Sequence, residues 1–287
     1  TPDTDPTTPA RIRYRAVHGR QADKFDQLKR IDLDDGDWED CPDEWTAPFL
    51  PAGGDEWDSS PLLGDLMPWQ SQGIVAGRTW VYAPLASTLH DRMNLLLSAA
   101  PAKQPGLFRE SRDAQMSKRK KGLAGFPHSE RPLAEEKPPG MTAAPVSYRS
   151  FDVQYIVPDD RVMSTPRTDL WRARGDHQLH VVEQHAHQVP AGSPGLMFAA
   201  HTPDIDHFKG SAGGRVLPLY AGPDESRPNL APGLLDVLAD RLGADVTPED
   251  FAAYTAAITA HPAFTERFAE DLRTPGIRVP LTADPDT

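Results

Sequence analysis

With 287 residues, 38% of them hydrophobic, the chain is long enough for one large or two modest domains, each with its own core. Its 30 prolines and 21 glycines imply much loop, and a net charge of −12 excludes an evenly spread phosphate-binding surface, because such binding needs a basic face. A single cysteine, Cys41, excludes an internal disulfide and a cysteine-built zinc site and suits a reducing cytoplasm, and no apolar run approaches membrane-spanning length, so a cytoplasmic protein with no membrane partner is expected.

The opening TPDTDPTTPA lacks an initiating Met and an apolar signal region, which reads as a piece of something longer, and residues 1–9 are expected to be a disordered polar tail. Residues 11–17 alternate basic side chains with Ile12 and Tyr14 as an edge strand does. A helix is predicted over about 21–31, with Phe25, Leu28 and Ile31 at spacings of three and Asp23 and Asp26 near its positive end. Residues 32–69 then place Trp38, Trp45, Trp57 and Trp69 among Pro, Gly and acidic residues. Anchors for an irregular acidic loop are expected there, with an aromatic ligand cage as the alternative. Residues 73–84, GIVAGRTWVYAP, predict a turn and a strand over 79–83 with Arg78 at its start, and Ser87 is an N-cap for a helix carrying Leu89, Met93, Leu96 and Leu97.

Residues 100–146 are rich in Pro, Lys, Arg and Glu and short of apolar side chains, so they read as a basic linker. Within it Lys118, Arg119, Lys120 and Lys121 either follow a phosphate backbone or are simply solvated. From 147 to 222 the pattern is β-rich. Phe151, Val153, Tyr155 and Val157 alternate like one face of a strand, Pro158, Asp159 and Asp160 supply a turn, and 179–182 and 196–199 are further short strands. Arg149, Arg161, Arg167, Arg172 and Arg174, interleaved with Tyr148 and Trp171, suit phosphate clamps, guanine contacts and base stacking. The alternative is a β-rich core with a solvated arginine fringe.

Beyond 222 the signal is helical. Leu234, Leu235, Leu238 and Leu242 precede Gly243, Thr247-Pro248-Glu249-Asp250 opens a helix through Phe251, Tyr254 and Ile258, and Phe264, Phe268 and Leu272 follow Pro262. The expected fold class is mixed α and β (α+β). It comprises a leading segment (1–99), the linker (100–146), a β-rich recognition module (147–222) and a helical C-terminal cap (223–287) whose apolar stripes are core.

No G-x-S-x-G, P-loop, H-E-x-x-H or glycine-rich dinucleotide motif occurs, and no catalytic residue is predicted. Six histidines, His177, His180, His185, His187, His201 and His207, fall within one stretch, with Asp204 and Asp206 beside the last, so a histidine-rich metal-dependent hydrolase is one alternative. Their spacings match no standard ligand pattern, and no metal site is predicted. A module that binds only protein is the other alternative.

The runs SYRSFDVQYIVPDDRVMSTPRTDLW, HTPDIDHFKGSAGGRVLPLY and RPNLAPGLLDVL resemble the C-terminal specificity region of type ISP restriction-modification enzymes and related adenine-specific DNA methyltransferases. ARIRYRAVHGRQADKFDQL and GIVAGRTWVYAPLASTLHDRM look like the segments that join the methyltransferase core to that region. The resemblance implies a chain that recognises double-stranded DNA for a methyltransferase catalytic domain of the same parent chain, where S-adenosylmethionine would bind. The family's Asn/Asp-Pro-Pro-Tyr and cofactor-binding glycine motifs do not occur in these residues; Pro138-Pro139 is followed by Gly140. Ala76-Gly77-Arg78-Thr79 departs from a family stretch like Thr-Asn-Arg-Asp, so only Arg78 carries over, as a DNA or interdomain contact.

Overall fold

The computed structural model describes residues 7–43, 49, 51, 55–128, 130–138, 141–184, 189, 192–208 and 214–282. Most of the expected tail, Trp45, His185 and His187 lie outside the described residues. The chain divides into two units, 1–59 and 60–287, so a boundary falls inside the expected 1–99 segment.

In the first unit β1 (Arg13–Tyr14) precedes α1 (Gln21–Leu28), and β2 (Glu39–Asp40) pairs antiparallel with β1. A short α2 (Asp55–Ser59) ends the unit. The basic strand answers the acidic run that follows it, since Arg11 pairs with Asp40 and Arg15 with Asp35 and Asp37. Trp38 behaves as an anchor: its indole N–H donates to the Asp32 carbonyl and the Arg13 guanidinium lies 5.6 Å from its ring. Helix α1 stops at Leu28 rather than Ile31 and buries no residue, leaving Phe25 and Leu28 more than half exposed.

The second unit opens with α3 (Leu63–Leu66), β3 (Ser71–Gln72) and β4 (Tyr82–Ala83), followed by α4 (Ala86–Ser98) and α5 (Gln104–Phe108). Next come β5 (Ala144–Arg149), β6 (Asp152–Ile156), α6 (Thr168–Arg172), β7 (His180–Gln184), β8 (Leu196–Ala199) and β9 (Gly214–Pro218). The cap holds α7 (Leu234–Leu242), α8 (Pro248–Ala260) and α9 (Pro262–Arg267). The strands form a four-stranded sheet, β3-β9-β7-β8, and a three-stranded sheet, β4-β6-β5, both antiparallel. The fold is α+β, with helices gathered towards the C-terminus.

Helix α4 lays Leu89, Met93, Leu96 and Leu97 on the three-stranded sheet, where Val81, Val146 and Ile156 complete the core. Phe108, Ala114, Met116, Leu123 and Leu133 enter the same cluster, so residues 100–138 are not a linker. These five have no helical or strand period, yet each large side chain buried there is worth about 1.5–3 kcal/mol. The β6 alternation also reads differently in three dimensions. Strand β4 pairs only with Tyr155 and Ile156, so the outer part of the β5–β6 hairpin runs past the sheet, with Phe151 95% and Val153 51% exposed.

In the cap, α8 has the expected capping box, the Thr247 side chain accepting from the Asp250 N–H while the Asp250 carboxylate accepts from Thr247. Phe251, Phe264, Phe268 and Leu272 are buried as the stripes predict, but α7 buries no residue, so its leucines are not core. Among the described residues no helix is long and apolar enough to cross a membrane.

The two sheets are joined by irregular chain. Ser147 N–H donates to Thr202 O and Ser147 O accepts from Asp204 N–H, at 3.1 and 3.0 Å. On its other side the same segment meets residue 74: Ile74 N–H donates to Pro203 O and Ile205 N–H to Ile74 O, both at 2.9 Å. Gly73 lets this happen, because a Cβ there would sit 2.5 Å from the Asp204 carbonyl carbon and oxygen and 2.6 Å from the Ile205 nitrogen. Gly73→Ala is therefore expected to destabilise the chain by about 1–3 kcal/mol, since backbone must move to admit the methyl group. Denaturant unfolding checks this, and a variant as stable as the parent would show that the two segments part freely.

Candidate nucleic-acid interface

The junction of the sheets fixes one of the expected arginines. A register shift between Ser147 and Arg149 turns the end of β5, and the Arg149 guanidinium folds over the Tyr148 ring at 3.8 Å. Tyr148 in turn packs on Tyr82, ring centres 4.6 Å apart. Arg149 donates to Asp204 Oδ1 at 2.8 Å, the Tyr82 hydroxyl donates to Asp204 Oδ2, and the Asp206 N–H donates to Oδ1 at 2.9 Å. Burial pushes the Asp204 pKa up, against the bonds from Tyr82, Asp206 N–H and Arg149 that favour the carboxylate. Burial beside Asp204 raises Tyr82 far above its ordinary range, so its hydroxyl stays a donor. Arg149 thus has an orientation set from two sides while its side chain remains 33% exposed.

A second group lies around α6. Arg172 is 62% exposed at the side chain, pairs with Asp169 at 2.6 Å, and lines a cleft of about 360 Å³ with Trp69, Arg227 and Asn229. The buried Asn229 amide holds Trp69 by its backbone, accepting from the N–H at 2.7 Å and donating to the carbonyl at 2.8 Å. Just before α6, Arg167 adopts a left-handed conformation (φ 55°) and donates to the Gln72 side chain. Arg174 is half-buried, its guanidinium 4.9 Å from the Phe126 ring and 5.4 Å from Trp171. Burial lowers its pKa, and among the described residues no carboxylate pairs with it.

Two of the expected DNA-binding residues are interior instead, and a third is half-buried. Arg161 is 1% exposed: it donates to Asp159, to Glu136 Oε1 at 2.9 Å and to the Arg131 carbonyl at 2.7 Å, and so ties residues 131–136 to the end of β6. Trp171 is 2% exposed and packs edge-on against Phe126, which leaves no face for a base. Arg78 is half-buried and donates to the carbonyls of Phe108, Arg109 and Val162, holding residues 108–109 to the core. Of the basic run, Arg119 and Lys121 are exposed, Lys120 is partly exposed, and Lys118 donates to the Arg112 carbonyl at 2.8 Å.

Nothing local in the sequence places Tyr82, Arg227 or Asn229 at this surface, while Trp69 reads there as a loop anchor or part of an aromatic cage and Asp204 as a possible metal ligand. His180 and His207, each 1% exposed, turn Nδ1 to the carbonyls of Ala199 and Ser147 at 3.2 Å. Among the described residues the ligand-type atoms that converge within 4.8 Å belong to His128, Asp159 and Asp160, a set outside the histidine-rich stretch in which Arg161 already neutralises Asp159.

Two antiparallel sheets joined through irregular chain and capped by helices define an α+β fold shared with several solved DNA complexes. The chain is similar to one in a cryo-EM structure of a DrdV–DNA complex (TM-score 0.57, 18% identity, 94% of this chain and 28% of that one). It is also similar to a nuclease-deletion mutant of the Type ISP restriction-modification enzyme LlaGI with a DNA substrate mimic (0.50, 16%, 91% and 25%). A third similarity is to the ATP-dependent Type ISP enzyme LlaBIII bound to DNA (0.51, 13%, 85% and 17%). The chain therefore spans less than a third of each of these longer chains. No curated protein matches it. The family model of the Type ISP C-terminal specificity domain matches residues 65–287, and the chain belongs to that family.

Two outcomes follow from the buried groups. Replacing Arg161 with Met leaves Asp159 and Glu136 without their cation and is expected to cost about 3–5 kcal/mol, whereas Arg172→Ala should leave denaturant stability unchanged. Equal stability of the two variants would contradict these placements. His180 is held neutral by burial, its pKa pulled from 6.5 to about 4. The unfolded chain thus binds more protons between those values, and stability present above pH 6.5 is lost as pH falls towards 4, by on the order of 3 kcal/mol. In unfolding measured across that window, His180→Gln should flatten the slope.

Proposed function

We propose that the chain reads a duplex DNA sequence on behalf of an S-adenosylmethionine-dependent adenine methyltransferase in a cytoplasmic restriction-modification system. The observation that carries this reading is Arg149, oriented by Asp204 and Tyr148 and still partly open to solvent, in a chain of the specificity-domain family. A guanidinium held in one geometry is suited to a guanine edge, which presents two acceptors in the major groove. Arg172, with Arg227 and Trp69 beside it, supplies further contacts; Arg167 acts at the start of α6; and Lys118, Arg119, Lys120 and Lys121 clamp phosphates without regard to sequence. The family's catalytic and cofactor motifs are absent from these residues, so S-adenosylmethionine binding and methyl transfer fall to a catalytic domain of the same parent chain, which flips the adenine that this chain selects.

The test begins by selecting a preferred duplex from a random pool with the purified chain, then measures affinity for that duplex and a scrambled one across a salt series. Arg149→Ala is expected to cost about 1–3 kcal/mol on the selected duplex and to relax preference at one position. Joint replacement of the four residues 118–121 by Ala should weaken both duplexes alike and flatten the salt dependence. Failure of the parent chain to bind any duplex at low salt would overturn the reading.

A further inference from the structure

The β5–β6 hairpin carries a feature that sequence readout does not use. Phe151, at its turn, is 95% exposed, more than any other large apolar side chain among the described residues. Phenylalanine has no group with which to read a base edge, and a ring held in water gains nothing for the fold. An isolated exposed apolar residue is ordinarily unremarked, but this one stands on a rigid root. Ser147 is bonded on both sides of its peptide to the 202–204 segment, Tyr148 packs on Tyr82, and the Ser150 hydroxyl donates to the His207 carbonyl at 3.1 Å. The register shift between Ser147 and Arg149 adds local twist just before the turn.

We propose that Phe151 is an aromatic wedge that enters the base stack of duplex DNA, on the hairpin whose root holds Arg149. The proposal rests on the DNA reading above and deepens it. The small extent of the apolar projection favours this occupant over a protein patch. Next to Phe151 in the hairpin the chain carries Ser150 and Asp152, the Asp152 carboxylate accepts from Gln154 Nε2 at 2.8 and 3.0 Å, and Val153 extends the exposed apolar area. A narrow apolar projection on a fixed root fits the gap between two base pairs, where apolar side chains unstack a step and kink the duplex. A protein-docking surface would instead present a contiguous apolar patch with a polar rim.

The wedge has a signature independent of the recognised sequence: opening a step is easier where a base is already missing. The 287-residue chain is titrated with an intact duplex and with the same duplex carrying one abasic site. Expected are binding of both by the parent and roughly tenfold tighter binding of the abasic duplex. Phe151→Ala should bind the intact duplex measurably but lose the abasic preference, and Phe151→Trp should restore it. Equal binding of the two duplexes by the parent, or a preference that survives in Phe151→Ala, overturns the wedge while leaving DNA recognition standing. A parent that binds neither duplex at low salt overturns DNA recognition and the wedge together. If Phe151→Ala alters self-association and neither affinity, the turn is a protein contact and the proposal fails.

Discussion

The part of the candidate surface that carries Arg149 is oriented by residues 202–205. This stretch has no regular secondary structure, yet its peptide groups are bonded to Ser147 on one side and to Ile74 on the other, so it acts as a shared strand between two small sheets. Edge groups left unpaired in the interior would each be costly. Close approach at Gly73 and the buried Thr202 and Asp204 make the join dense. Because the same segment carries Asp204, the element that joins the sheets also sets the direction of Arg149.

The arginines show how one residue type divides by environment. Arg161 meets two carboxylates and a carbonyl inside the protein, so its charge is spent on holding residues 131–136 in place. Arg149 has one carboxylate and an aromatic face, which restrict it without enclosing it. Arg172 is bound only by a neighbour on its own short helix, an arrangement that water and salt readily replace. These three states follow from where carboxylates and apolar walls happen to lie, and they determine which cations remain available to a polyanion.

Net charge misleads for a related reason. Much of the acidity between residues 32 and 40 is matched within the first unit, where Arg11 and Arg15 take up Asp35, Asp37 and Asp40. A formal sum of −12 counts those carboxylates as fully as any other. What a phosphate backbone would meet is the local field of the exposed groups, and this varies over distances of a Debye length.

Local patterns sufficed wherever local physics decides. The leucine spacing of α4, the capping box of α8, the strand runs around 180 and 197, and the α+β class were all legible because helix faces, caps and alternation act over a few residues. The sequence also displayed the family resemblance and the concentration of arginine after residue 147. It could not say that the proline-rich 100–138 region is core, since Phe108, Met116, Leu123 and Leu133 have no period and are buried only because partners from α4, β5 and β6 surround them. Nor could it separate Arg161 from Arg149, or show that Phe151 and Val153 point into water while Ile156 points into the core. Those outcomes depend on contacts between residues tens of positions apart, Arg161 with Glu136, Arg149 with Asp204, and β4 covering only the end of β6. Alternation names two faces of a strand; only tertiary packing decides which face, and how much of it, is covered.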